Sequence, residues 1–242
     1  MAPLKNALSA EARRILALLD RNGSGGKGLR LRDTGTEPGG RPFFTDYHAD
    51  FNISHSRNMA AVAWSAAINP STALPFRTGC DIQYMGPGKN KNALAREYFS
   101  PEESAFITGA SDPPVSGDPV YSREQKERFY QIWVLKECYL KAKGLSVLDI
   151  KKAPSFAAPS GFQRFIETPF FFYLYELGDE IHGRFMLAAA CETERPAHYP
   201  REPAAEVPVR ASPPAIRWFG EALPLRYIAS INGIEPQLYT YR

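Results

Sequence analysis

Residues 123–144 read REQKERFYQIWVLKECYLKAKG, and their reading decides the fold. The stretch predicts the longest helix of the chain, Arg123 to Lys143. Gly144 stands just past its end, where a left-handed residue commonly closes a helix. Inside it, Trp133, Glu137 and Lys141 are spaced i, i+4, i+8 and share one stripe. An aromatic, an acid and a base on one stripe make an odd core face and suit the wall of a site. The alternative is an ordinary i,i+4 ion pair on a solvated face, worth a few tenths of a kcal/mol.

Working outward, strands are predicted on both sides of this helix. Upstream, Phe51 to Ser54, the apolar run Ala60 to Ala66, and Arg77 to Gln83 read as strands. Downstream, Phe172 to Glu176 and Gly183 to Cys191 read the same way. Ser100-Pro101-Glu102-Glu103 is a helix start with a capping box and proline at N1, so a second helix runs to about Thr108. Near the N-terminus, Ser9 caps a helix from Ala10 to Asp20 with Ile15, Leu16, Leu18 and Leu19 on its apolar face. A glycine-rich loop over 22–40, with a strand candidate at Leu29–Arg32, and a turn over 86–92 complete the first half. A polar, proline-bearing loop spans 109–121, a proline-rich linker spans 194–214, and 215–242 is expected to pack back onto the body. A faint echo between Ile53–Trp64 and Ile181–Cys191, each a His followed by a small apolar strand, hints at two related halves.

Composition removes several function classes. A formal charge of +3 over 242 residues, without a dense basic stripe, argues against nucleic acid but suits a polyanionic small molecule or an acidic partner. Three widely spaced cysteines fit neither a zinc pattern nor a disulfide framework, so a reduced, cytoplasmic setting is expected. The first residues lack the uninterrupted apolar core of a signal peptide, and no run reaches the ~20 apolar residues that cross a bilayer.

Two more clusters carry chemistry. In Gly79-Cys80-Asp81-Ile82-Gln83, residues 81 and 83 of a strand point to one face and can offer oxygens to one hard cation. The plainer alternative is a surface Asp at a strand end. Asn52-Ile53-Ser54-His55-Ser56 ends a strand with side chains able to meet a phosphate, or, equally, with a structural His. No G-x-S-x-G elbow surrounds these serines, which argues against a hydrolase.

Taken together and in order, the clusters resemble the surfactin-synthetase type of 4′-phosphopantetheinyl transferase. That family's G-[RK]-P, N-x-S-H-S, G-x-D-x-E and W-x-x-K-E-x-x-x-K-x-x-G signatures stand here as Gly40-Arg41-Pro42, Asn52 to Ser56, Gly79 to Gln83, and Trp133 to Gly144. Phe99 to Glu103 matches its F-[ST]-x-x-E stretch, and the resemblance spans about residues 40–145.

The resemblance implies an α+β fold of two similar, pseudo-twofold-related halves, each a small antiparallel sheet packed on helix. These would be 1–77, with segments that bind coenzyme A phosphates, and 78–242, with metal-binding acids and a proline-rich extension. It implies Mg²⁺, with Mn²⁺ as a substitute, held by Asp81, Gln83 and Glu137. It implies coenzyme A as substrate, contacted by Arg41, Ser54, His55 and Lys136, with Asp81, Glu137 and Lys141 catalytic. The partner would be an acidic acyl or peptidyl carrier protein, landing between the Phe99–Ile107 helix and the 109–122 loop, and the enzyme a monomer. The family usually has Glu where this chain has Gln83, which bears on metal affinity. Two rivals remain: a degenerate coenzyme A-binding module without turnover, and an unrelated α+β scaffold whose clusters are coincidental ion pairs.

Overall fold

The computed structural model describes residues 10, 12, 13, 16, 17, 33–57, 59–66, 68–87, 91–109, 122–158, 161–162, 168–179, 183–192 and 228–230. The strands are β1 (Thr34–Thr36), β2 (Pro42–Phe44), β3 (Asp50–Ser56), β4 (Met59–Ser65), β5 (Ile68–Asn69), β6 (Leu74–Pro75) and β7 (Thr78–Tyr84), then β8 (Ala157–Ala158), β9 (Gly161–Phe162), β10 (Phe170–Asp179), β11 (Gly183–Glu192) and β12 (Ile228–Ser230). The helices are α1 (Asn92–Tyr98), α2 (Pro101–Thr108) and α3 (Arg123–Lys143), with a 3₁₀ turn at Val147–Lys152. The fold is α+β, with small antiparallel sheets. Two of them matter most, one ordered β10-β11-β7 and one ordered β12-β4-β3.

Local chemistry accounts for the helices. Ser122 and Gln125 close a capping box at the start of α3, and Gly144 ends it at φ 71°, ψ 24°, its N–H reaching the carbonyls of Leu140 and Lys141. The predicted box of α2 forms, with the Glu103 N–H donating to Ser100 Oγ at 3.2 Å and the Ser100 N–H to Glu103 Oε2 at 2.9 Å. Helix α1 follows the turn expected over 86–92, in a stretch for which no element is expected. Its N-cap, Lys91, makes no side-chain cap bond, so the usual start signal is missing from the sequence.

The largest buried cluster among the described residues lies between α3 and the β10-β11-β7 sheet. Phe129, Ile132, Leu135, Cys138 and Ala142 of α3 bury together with Met186, Ala188 and Ala190 of β11. Each large side chain so buried contributes roughly 1.5–3 kcal/mol. Gly79 lets α3 come this close: a Cβ there would stand 2.3 Å from the Cys138 carbonyl oxygen and 2.9 Å from Ala142 Cβ.

The two sheets meet along an uncommon seam. Strand β7 pairs with β11 on one side, Asp81 opposite Ala188. Its other edge is covered by side chains of β3, not by a strand backbone. Asp50, Asn52, Ser54 and Ser56 accept the N–H groups of Thr78 (2.6 Å), Cys80 (3.2 Å), Ile82 (3.2 Å) and Tyr84 (2.9 Å), each 28 residues on. The constant offset means that β3 and β7 run in the same direction. An edge that would expose unpaired amides is thereby satisfied by a row of short polar side chains.

The strand at Leu29–Arg32, the linker 194–214, His182 of the internal echo, most of the helix 10–20 and most of the carrier-facing loop lie outside the described residues. Of the segment 215–242, β12 is described, and it pairs with β4, Ile228 opposite Ala61. Leu16 is buried, as its expected helix face requires. The three cysteines are free and buried. Among the described residues no helix is long and apolar enough to cross a membrane.

Candidate active site

Asp81 sits in the middle of β7 and is 1% exposed. The close approach at Gly79 sets it beside the last turns of α3. Its Oδ1 accepts from Lys141 Nζ at 2.6 Å and from Ser54 Oγ at 2.8 Å, and its Oδ2 from Gln83 Nε2 at 3.1 Å. A carboxylate offers about four acceptor positions, so one remains, on Oδ2.

Glu137 lies one helical turn before Lys141 on the same stripe. Among the described residues it has no hydrogen-bonding or ion-pairing partner. Burial and the neighbouring Asp81 carboxylate push its carboxyl up to about 7, and the Lys141 ammonium offsets part of this. For Lys141, burial pulls its pKa down, but the nearby carboxylate of Asp81 outweighs it and the net direction is up. With Glu137 ionised, two carboxylates face one ammonium, leaving one negative charge uncompensated in a half-buried place.

That arrangement fits a divalent cation. Among the described residues no group of three or more His, Cys, Asp or Glu side chains has metal-binding geometry. Mg²⁺ does not need one, since it is usually held by one or two carboxylates with water and phosphate oxygens completing its shell. The open position on Asp81, the unpartnered Glu137 carboxylate and the amide oxygen of half-buried Gln83 supply the right donors. Gln83 also does something a Glu could not: its amide N–H₂ donates to Asp81, where a third carboxylate would repel it.

Three residues expected to face coenzyme A are spent inside the protein instead. Arg41 is 5% exposed. Its guanidinium donates to Asp50 Oδ2 (2.5 Å), the Thr78 carbonyl (3.0 Å) and the Lys141 carbonyl (3.0 Å). It ties the G-R-P segment, β3, β7 and the end of α3 into one buried node. Lys136 is 2% exposed; its ammonium pairs with fully buried Glu103 at 3.0 Å and donates to the Pro154 carbonyl at 3.2 Å. Ser54 gives its one hydroxyl proton to Asp81 and accepts from Lys141 Nζ at 2.9 Å and from the Ile82 N–H. Its donor and both acceptor positions are therefore used. The physical reason is common to all three: a buried charge or hydroxyl needs internal partners, and these residues have them without a ligand. His55, by contrast, is exposed at the end of β3.

Trp133, on the stripe that carries Glu137, stacks on Phe129 at 5.7 Å and lies 6.2 Å from Phe99, so it buttresses the helix rather than lining the acid pair. Two residues were not foreseen. Asp50 anchors the Arg41 node, and only its place two residues before Asn52 in the polar alternation of β3 could have pointed to it. Glu103 is both a cap and the partner of Lys136: its Oε1 also accepts the Phe156 N–H at 2.8 Å. The capping pattern signals the first role and hides the second.

Residues 77–188 match the 4′-phosphopantetheinyl transferase superfamily. The 4′-phosphopantetheinyl transferase HetI of Nostoc sp. is 30% identical over 132 residues, which is 49% of this chain and 48% of that relative. The 4′-phosphopantetheinyl transferase AcpT of Escherichia coli K12 is 31% identical over 105 residues, 43% of this chain and 45% of the relative. NpgA of Emericella nidulans, also so named, is 29% identical over 125 residues, 43% and 36% of the two chains. The chain thus spans about half the length, or less, of these curated relatives. The segment that carries Asp81, Gln83, Lys136, Glu137 and Lys141 is therefore similar in sequence to the 4′-phosphopantetheinyl transferase superfamily.

Proposed function

We propose that this chain is a 4′-phosphopantetheinyl transferase of the surfactin-synthetase-activating type, moving 4′-phosphopantetheine from coenzyme A to a serine of an acyl or peptidyl carrier protein. The observation that carries the reading is the meeting of Asp81 and Glu137 beside Lys141, where strand and helix bring two carboxylates together with too little positive charge to balance them. With it goes a division into halves, 1–77 and 78–242, that meet along the β3–β7 seam and through the pairing of β12 with β4.

Mg²⁺, or Mn²⁺ in its place, would be held by Asp81, Glu137 and the Gln83 amide oxygen, and when bound it supplies charge neutralisation on the pyrophosphate of coenzyme A. The chain's own groups do the rest. Glu137, directly or through a water, takes the proton of the carrier serine. The serine oxygen forms a bond to the β-phosphorus. The bond from that phosphorus to the bridging oxygen breaks, and 3′,5′-ADP leaves with the electron pair. Lys141 has three N–H groups and gives two to Asp81 and Ser54, so one is left for the β-phosphate. His55, exposed on β3, is offered to the nucleotide phosphates. Such chemistry depends chiefly on positioning and electrostatics.

The test mixes the protein with an apo carrier protein, coenzyme A and Mg²⁺ and reads the carrier's intact mass. Gain of one phosphopantetheine is expected, and Asp81→Ala or Glu137→Ala should lower the rate by at least about 10³-fold. Coenzyme A binding without mass gain would make the chain a degenerate binding module. Neither binding nor gain would end the proposal.

A further inference from the structure

The turn that joins β1 to β2 touches both elements that carry the site. Thr36 pairs with Pro42, and Glu37 to Arg41 form the tip between them. The tip is closed by the Glu37 N–H on the Arg41 carbonyl and the Gly40 N–H on the Glu37 carbonyl, both at 2.8 Å. On one side it rests on the C-terminal end of α3. Gly39 lies so near Gly144 that a Cβ on it would stand 1.8 Å from the Gly144 carbonyl oxygen. The Lys141 carbonyl accepts from the Gly144 N–H at 3.2 Å and from Arg41 Nε at 3.0 Å. On the other side the tip holds the residue that leads into β7. The two Glu37 carboxylate oxygens accept from Arg77 Nη2 at 2.9 and 2.8 Å, and Oε1 lies 3.8 Å from Arg41 Nη1. Arg77 is itself tied to the end of β11. Its N–H donates to Glu192 Oε2 at 3.1 Å, and its carbonyl accepts the Glu192 N–H at 2.8 Å.

We infer that this tip is a brace between the strand that bears Asp81 and the helix that bears Lys141, and that Glu37, which lies outside every signature motif, is a positioning residue for the pair. The inference deepens the proposed function and, for its kinetic part, rests on that reading.

A helix end is the place where such a hold matters. The last four carbonyls of a helix have no partner within it, and the final turn frays. Lys141 stands in that turn, so its ammonium moves with it. Arg41 brings a cationic donor to the end of the helix that favours positive charge. Gly39 and Gly144 meet backbone to backbone, so neither can turn aside as a side chain would. Glu37 lies between the guanidinium groups of Arg41 and Arg77 and joins the tip to the sheet. Without it the tip keeps its contact with α3 but loses its tie to the strand, and the distance between strand and helix end is less firmly set. An error of about 1 Å in a group at the chemistry can cost about 10²-fold in rate, so a partial loosening is read as a smaller loss.

Two readouts test this on the full chain. Amide hydrogen exchange needs no activity. Glu37→Gln should speed exchange of the Gly144 and Leu145 amides about 3–10-fold and leave Lys126, at the other end of α3, alone. Gly39→Ala should act more strongly on the same two amides; if that variant does not fold, Glu37→Gln decides by itself. Unchanged exchange at Gly144 and Leu145 in Glu37→Gln, or equal acceleration at Lys126, would overturn the inference. In the transfer assay, Glu37→Gln and Arg77→Gln should each lower kcat about 3–10-fold, and the double variant should lose no more than either alone, because both remove one contact. Losses that multiply in the double variant would mean that the two residues act separately, and would overturn the brace. A KM for coenzyme A raised about tenfold at unchanged kcat would make Glu37 a ligand contact, and would overturn the inference while leaving the proposed transferase intact. A wild-type chain that transfers nothing would end the proposed function, and the exchange pattern would still decide whether the tip holds the end of α3.

Discussion

Glu137 concentrates the electrostatics of the site in one side chain. Its carboxyl is pushed up to about 7 by burial and by Asp81. The native state then holds a proton that the unfolded chain, titrating near the ordinary 4.5, has already released. The favourable contribution is fully present below about 4.5 and is lost as pH rises through about 7. With divalent cations removed by a chelator, Glu137→Gln should therefore gain thermal stability relative to wild type as pH goes from 5 to 8. An equal difference in Tm at both pH values would mean that this carboxyl titrates normally and that the site has no unbalanced charge. Lys136 is the opposite case at the same scale. It was expected at the ligand and is found paired with Glu103 in the interior. Lys136→Ala leaves a buried carboxylate without its counter-ion, and should cost about 3–5 kcal/mol, read as a lowered denaturant midpoint. Loss of coenzyme A affinity at unchanged stability would restore the ligand role.

Among the elements, β7 and α3 do the assembling. Their contact is closest at Gly79, where even one methyl group meets the Cys138 carbonyl. Gly79→Val should separate strand from helix, cost about 1–3 kcal/mol by overpacking, and lower transfer more than its loss of stability explains, because Asp81 moves with the strand. Wild-type stability and turnover in that variant would show that the approach is not needed. At this scale much was legible. The box at Ser100–Glu103 and the stop at Gly144 were read from neighbours a few residues apart, and both stand in the structure. Strands β3, β4, β7, β10 and β11 each fall within a few residues of their apolar or β-rich runs. Helix α1 starts without a capping side chain, so its start carries no local signal, although Ala93 to Glu97 are good helix formers.

Over the whole molecule, the chemistry is held where two sheets are joined without a shared backbone ladder. The row Asp50, Asn52, Ser54, Ser56 is written plainly in the sequence as polar residues at every second position. Its meaning was not, because the amides it serves belong to another strand 28 residues away. The same holds for the Arg41 node, whose acceptors include the carbonyl of Lys141, 100 residues on.

The sequence by itself determined the residue types of the site and the elements that carry them: an acid on a strand, and an acid and a lysine one turn apart on a capped helix. Periodicity and capping act over a few residues, and those rules are local. Only the tertiary structure decided which polar groups are consumed internally and which stay open. Ser54 is saturated, and Arg41 and Lys136 are held in the interior, by partners distant in the chain, while Glu137 is left with a charge to share. Burial and hydrogen-bond satisfaction are properties of packing, and packing is absent from any short window of the chain.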